Sequence, residues 1–265
     1  MKVSELASHP PKVLIYGPAG RAKTALALTL GDRCEYLDLD DNMEVAFGLK
    51  DNLQHLRLDV NVKQFVDRDA TKATAFDKFK QYVYKISAEC HKKTYPHECV
   101  VVDSLTSLAV GAHRKIMSAS GGTDKNPQIQ HWGLILNEIE NIITILRALP
   151  IRLFMIAHQM EYTDDNNTVV QIAVPGQKLP GRITRMFSEI WYVRMRAIGQ
   201  GKFEFYIQTA PTTSITCRSG RGLKNGVTFG TIEKSGKPGT SIGLWDILDM
   251  IETTKKSQGD PTLMT

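Results

Sequence analysis

The run Gly17-Pro18-Ala19-Gly20-Arg21-Ala22-Lys23-Thr24 sets glycines ahead of a lysine and a hydroxyl residue. A loop of that make-up can wrap backbone N–H groups around phosphate oxygens, and a helix beginning at its end adds partial positive charge. The flanks supply this context. Lys12-Val13-Leu14-Ile15-Tyr16 reads as a buried strand entering the loop, and Ala25-Leu26-Ala27-Leu28 opens a helical pattern behind it. In such a Walker A loop, residues Gly17 through Ala25 surround the nucleotide, Lys23 reaches the β- and γ-phosphates of ATP, and the Thr24 hydroxyl ligates Mg2+. The chain departs from the pattern G-x-x-x-x-G-K-[ST] at one position, because the residue before Lys23 is Ala22. A methyl group there restricts the backbone and the approach of phosphate.

A second element suited to this chemistry is Cys99-Val100-Val101-Val102-Asp103-Ser104, an apolar strand ending in an acid. An aspartate so placed after a phosphate loop is the Walker B ligand of Mg2+, although the same pattern also makes an ordinary helix N-cap. Hydrolysis further needs a carboxylate to orient water. The stretch from Tyr36 to Glu44 offers Asp38 and Asp40, which strand alternation puts on one face, and then Glu44. For any one of these acids the alternative is a solvated acidic turn.

Longer stretches make the pattern more specific. Val101-Val102-Asp103-Ser104-Leu105-Thr106-Ser107-Leu108 resembles the RecA-family Walker B strand with its trailing serine. Leu153-Phe154-Met155-Ile156-Ala157-His158-Gln159 resembles the RecA-like strand that ends in a polar residue and a glutamine. The resemblance runs from Lys12 to Gly222 and is nearest to phage-encoded RecA-like ATPases of the single-strand annealing recombinase type. It implies that Gln159 senses the γ-phosphate, with His158 standing where the family often has Asn. It makes Asp40 the best match to the catalytic acid, with Glu44 as backup. Segments Gly111 to Gln130 and Glu161 to Pro180 become counterparts of the two DNA-binding loops.

The same resemblance makes Arg218 and Arg221, after a late strand, candidates to reach the γ-phosphate of a neighbouring subunit, where an arginine stabilises transition-state charge. A basic surface turn is the equal alternative. Around the two loops lie Arg114, Lys115, Lys125, Lys178, Arg182 and Arg185, a set able to track a nucleic-acid backbone, although charged helix faces are also simply solvated. Trp132 and Tyr162 are the only aromatic residues near these loops that could stack on bases, so sequence-specific readout is not expected. Cys90-His91 and His97-Glu98-Cys99 contain zinc-ligand residue types, but adjacent pairs do not match zinc spacing.

The function implied is an ATP- and Mg2+-dependent ATPase that self-associates as filament or ring on single-stranded DNA and promotes annealing or strand exchange. A single-strand-binding protein would be a further partner, and a phage-encoded chain would work in the cytoplasm of a bacterial host. Alternatives are a hexameric helicase or loader, and a nucleotide-binding filament protein with little hydrolysis. A small-molecule kinase is disfavoured, since no arginine-rich lid is evident.

The elements that must position these residues alternate between β-branched apolar runs and longer amphipathic stretches. This predicts an α/β fold of the RecA-like P-loop NTPase kind, with a mainly parallel central sheet flanked by helices and antiparallel C-terminal strands. Expected strands are Lys12 to Tyr16, Glu35 to Leu39, His55 to Leu58, Glu98 to Asp103, Arg152 to Ala157, Ile190 to Met195, Phe203 to Gln208 and Ser214 to Cys217. Expected helices are Lys23 to Leu30, Ala73 to His91, Leu105 to Ser118 and Gln130 to Leu149. Segments Ser118 to Asn126 and Glu161 to Pro180 read as long loops, of the sort that are usually functional. One ATPase domain over 1–252 and a frayed tail over 253–265 complete the layout.

Bulk composition agrees. A chain of 265 residues with 42% hydrophobic content can bury a large core, and a net charge of +5 permits nucleic-acid contact without demanding it. The cysteines Cys34, Cys90, Cys99 and Cys217 form no C-x-x-C pair, which points to a reducing compartment. No apolar run nears the roughly 20 residues of a membrane span, and the first residues lack a secretion signal, so membrane anchoring is not expected.

Overall fold

The computed structural model describes residues 9–44, 60–69, 72–121, 127–164, 167–176, 178–233 and 242–258. The sheet is built around β1 (Lys12–Gly17), whose parallel neighbours are β5 (Arg152–Asp164) and β7 (Glu189–Gly199). Parallel pairing continues outward from β5 through β4 (Cys99–Asp103) and β2 (Cys34–Asp38) to β3 (Asn61–Gln64). On the other side, β8 (Lys202–Gln208) pairs antiparallel with β7, and β10 (Val227–Glu233) antiparallel with β8. The central sheet is therefore mostly parallel with antiparallel C-terminal strands, as the sequence pattern predicts.

The apolar runs are buried on both faces because helices cover both. Leu14 and Tyr16 of β1 turn toward one core with Val100 and Val102 of β4, while Val13 and Ile15 turn toward the other with Val101. The first core is closed by α2 (Ala75–His91), α3 (Leu105–Ala119) and α4 (Ile129–Ala148) through Phe79, Leu108, Ile139 and Ile143. The second is closed by α1 (Lys23–Leu28) and α6 (Leu244–Gln258) through Leu26, Leu244 and Ile247. Period 2 on the strands and period 3.6 on the helices thus bury one continuous layer on each side of the sheet.

Several expectations change. The strand expected at His55 to Leu58 and the cation Lys125 lie outside the described residues; the outermost parallel strand seen is β3. The segment read as a loop from Glu161 is a β-hairpin, since β5 continues to Asp164 and pairs antiparallel with β6 (Asn167–Ile172). Tyr162, Thr163, Val169 and Val170 are good strand residues, and an antiparallel ribbon open to water needs no continuous apolar run. Immediately after it, α5 (Leu179–Arg185) starts with proline in its first turn, a position that needs no N–H. No strand forms over Ser214 to Cys217; Ile215 makes a single bridge to Val170, and the short strand is β9 (Arg218–Ser219). Among the described residues no helix is long and apolar enough to cross a membrane.

Candidate nucleotide-binding site

The loop after β1 lies at the C-terminal edge of the parallel strands, where Gly17 is in register with His158 of β5 and Tyr16 with Tyr192 of β7. Gly17 has φ +153°, and a Cβ there would lie 2.6 Å from the Val193 carbonyl oxygen, so only glycine lets β7 come this close. Ala22 sits at the N-cap of α1 with φ 58° and ψ 23°, a left-handed conformation that glycine adopts freely. Alanine accepts it at a cost of about 1–2 kcal/mol. The departure from the motif is thus absorbed as local strain, and α1 still starts in place, with Leu26 N–H donating to the Ala22 carbonyl at 2.9 Å.

Lys23 is buried and folds back on the loop, donating to the Gly17 and Pro18 carbonyls at 3.0 and 2.7 Å. Burial lowers its pKa to about 8, opposed by the charges of Asp103 and Asp40. An ammonium in that position is well served by phosphate oxygens, which hold it through charge-assisted bonds stronger than those to carbonyls. Arg21 rests on Met195 Sδ at 3.3 Å, while Ala19 and Gly20 are open to solvent.

Register between β2 and β4 aligns Asp38 with Asp103. Asp103 Oδ2 accepts from Thr24 Oγ1 at 2.7 Å and from the Tyr36 hydroxyl. Burial raises the Asp103 pKa, those two donors pull it back, and the charges of Asp40 and Asp38 push it further up. A buried carboxylate so disfavoured in its ionised form, with a hydroxyl oxygen bonded to it, fits a hard cation. Mg2+ binds through one or two protein oxygens together with phosphate and water, and Thr24 and Asp103 would be those oxygens.

Asp38 and Asp40 do not share a strand face, because β2 ends at Asp38. Asp38 Oδ1 accepts the backbone N–H groups of Asp40 and Asp41 at 3.0 and 3.1 Å, and Oδ2 accepts Gln64 Nε2 at 3.1 Å. It is thereby engaged in the turn, which redirects Asp40. Asp40 Oδ1 takes the Ser104 hydroxyl at 2.7 Å, and Oδ2 lies 3.1 Å from His158 Nε2. Burial alone would raise the Asp40 pKa; hydrogen bonds from His158, Ser107 and Ser104 outweigh it, and the net shift is downward. The result is an ionised carboxylate beside Lys23 and Asp103, able to accept from a water. Glu44 is exposed and shows no hydrogen bond or ion pair to this cluster among the described residues.

Gln159 follows His158 on β5 and is held elsewhere: its Oε1 accepts from Tyr192 OH at 2.6 Å and its Nε2 donates to Glu161 Oε1 at 2.7 Å. Arg218 and Arg221 lie toward the opposite edge of the sheet, where β9 pairs with Glu189, itself in register with Val13. The Arg218 guanidinium donates to the Thr184 and Phe187 carbonyls, and that of Arg221 to the His9 carbonyl. Neither reaches the phosphate loop of its own chain. Of the basic set, Lys115 is paired with Asp77 and Arg182 with Glu140, whereas Arg114, Lys178 and Arg185 are exposed.

Sequence reasoning gave no task to Tyr36, Ser104 or His158. Tyr36 lies two residues before Asp38 on the same strand, and Ser104 trails Asp103 directly, where it also caps α3 by accepting Ser107 N–H at 3.2 Å. His158 carried one signal, an imidazole next to the candidate sensor, but its partner is 118 residues away.

The parallel sheet, the glycine loop running into a helix, and the acid on β4 facing the loop define a P-loop ATPase with a mostly parallel α/β core. Over residues 9–219 the sequence matches the AAA_24 family, described as "AAA domain", and the chain belongs to that family. Among solved structures, a KaiC-like protein of the hyperthermophilic archaeon Pyrococcus horikoshii OT3 is similar over 83% of this chain and 90% of its own, with 12% identity and a TM-score of 0.46. The RadB recombinase is similar over 88% and 93%, with 17% identity and a TM-score of 0.42. No curated protein matches the sequence.

Proposed function

We propose that the chain is an ATP- and Mg2+-dependent DNA recombination protein that self-associates on single-stranded DNA and promotes annealing or strand exchange. The observation that supports this most is the joining of two features on one strand. β5 passes the phosphate loop at His158, beside Asp40, and runs on into the exposed β5–β6 hairpin, the counterpart of a DNA-binding loop in the RecA resemblance. In this reading Gly17 to Ala25 enclose the triphosphate and Lys23 turns from the loop carbonyls to the phosphates. Thr24 and Asp103 hold Mg2+, which supplies charge neutralisation on the phosphate oxygens. Asp40 orients a water and takes its proton as the water oxygen bonds to the γ-phosphorus. The bond from γ-phosphorus to the bridging oxygen breaks, and its electron pair leaves with ADP.

The remaining roles follow the same reading. Gln159, released from Tyr192 and Glu161, passes the nucleotide state to the hairpin. Arg218 and Arg221 serve a neighbouring subunit's site after leaving their carbonyl partners. Arg114, Lys178 and Arg185 carry most of the DNA charge contact, since Lys115 and Arg182 are already paired. The ATPase domain takes in helix α6 and so extends past residue 252, the expected end of the domain, to Gln258, and the protein acts in the cytoplasm of a bacterial host, with a single-strand-binding protein as accessory partner.

The test is phosphate release by wild type and Lys23→Ala, with and without single-stranded DNA. Wild type is expected to release phosphate faster with DNA, and Lys23→Ala to lose that release. Equal rates in the two proteins would defeat the proposal. Tight ATP binding without turnover would select a filament protein that holds nucleotide, a reading favoured by the strained Ala22 position.

A further inference from the structure

We infer that His158 is a positioning residue for ATP hydrolysis, its Nε2–H fixing the Asp40 carboxylate and tying it to the base of the β5–β6 hairpin. The inference rests on the reading above, with Asp40 as the water-orienting acid, and deepens it.

Asp40 has little support of its own. It follows the end of β2 in a turn held by Asp38, and its carboxylate is oriented entirely by side chains from elsewhere: Ser104 Oγ on one oxygen at 2.7 Å and His158 Nε2 on the other at 3.1 Å. Because the carboxylate accepts, the imidazole must donate from Nε2. With one donor fixed on each oxygen, lone pairs remain that can accept from a water in a set direction.

The histidine is the better anchored partner. Its backbone pairs in register with Gly17, its N–H donates to Thr106 Oγ1 at 3.0 Å, and its carbonyl accepts from Ala173 N–H at 2.8 Å, where the chain returns from β6. One residue thus touches the phosphate-loop strand, the start of α3 and both strands at the hairpin base, while its ring reaches the acid. A shift of the hairpin on binding a ligand moves this ring and with it the direction of Asp40. The other charged groups around the acid are Asp103 on β4, Asp38 on β2 and Lys23 on α1. Neither carboxylate can donate to Asp40 when ionised, and the Lys23 ammonium is turned to the Gly17 and Pro18 carbonyls, so the side-chain donors on Asp40 are the His158 imidazole and the Ser104 and Ser107 hydroxyls, of which only the imidazole comes from β5.

Steady-state hydrolysis and Mg·ATP affinity are measured for wild type, His158→Ala and His158→Gln, and for His158→Ala combined with Asp40→Asn. His158→Ala is expected to lower kcat on the order of 10- to 100-fold, the scale of a misaligned catalytic group, with KM and nucleotide affinity near wild type. His158→Gln, which places an N–H at similar reach, restores most of the rate. In the Asp40→Asn background, His158→Ala brings no further loss. Wild-type kcat in His158→Ala overturns the inference, as does a loss confined to KM, a full further loss in the Asp40→Asn background, or a glutamine variant as slow as alanine. Wild-type protein that binds Mg·ATP but releases no phosphate overturns the hydrolytic reading itself.

Discussion

At Ala22 the backbone takes a conformation with φ 58°, and the side chain is a methyl group where the loop pattern has glycine. Relief of about 1–2 kcal/mol of left-handed strain, less the roughly 0.5–1 kcal/mol that glycine loses in chain entropy, predicts that Ala22→Gly stabilises the protein by about 0.5–1 kcal/mol. Thermal unfolding without nucleotide checks this, and a lowered midpoint would show that the methyl group makes a contact worth more than the strain. The residues that hold phosphate and metal in this account were legible because the loop is a contiguous pattern. Lys23, Thr24 and Asp103 converge as their spacing implies, with Thr24 and Asp103 in direct contact. The donors to the acids were not legible, since which hydroxyl or imidazole meets Asp40 depends on strand register and on a turn made by Asp38. The preference for Asp40 over Glu44 as the water-orienting acid came from resemblance; what the structure adds is that Asp40 is hydrogen-bonded to Ser104 and His158 whereas Glu44 is exposed.

At the scale of elements, the approach of β7 to β1 decides how tightly the loop is held. Gly17→Ala would set a Cβ 2.6 Å from the Val193 carbonyl oxygen and force the strands apart. The expected cost is about 1–3 kcal/mol, read as a lowered denaturant midpoint; an unchanged midpoint would mean that β7 moves freely away. The buried strands were legible because both of their faces are covered, which leaves an apolar run such as Val100 to Val102. The β5–β6 hairpin was not, as Glu161, Tyr162 and Thr163 are exposed and carry no apolar run. The strand β10 and the helix α6 also escaped. The latter has five buried or half-buried anchors, Leu244, Trp245, Ile247, Leu248 and Ile251, and its first turn is fixed by long-range bonds from Leu244 N–H to Thr29 Oγ1 and from Trp245 Nε1 to the Leu30 carbonyl.

Across the whole molecule, the candidate site lies at the C-terminal edge of the sheet and a half-buried cation at the other. Lys12, at the start of β1, donates its ammonium to the Leu149 and Ile151 carbonyls, and burial lowers its pKa from 10.5 to about 8. Between those values the unfolded chain binds more protons at this site than the folded one, so the lysine's contribution to stability rises with pH across that window. Comparing wild type with Lys12→Met isolates the effect from the tyrosines and cysteines, whose pKa values burial raises and whose contributions run the opposite way. The stability difference should move in favour of wild type from pH 8 to about 10, and a difference independent of pH would contradict the assignment. The fold class was read correctly because it is set by local pattern, whereas assembly and DNA contact involve surfaces that one chain's pattern does not determine. The proposed function depends on the loop from Gly17 to Thr24 enclosing a triphosphate. The most direct measurement is calorimetric titration of wild type and Lys23→Ala with ATP in the presence of Mg2+. Saturable binding at one site in wild type, and its loss or strong weakening in the variant, is the predicted result; no detectable binding of Mg·ATP to wild type would contradict it.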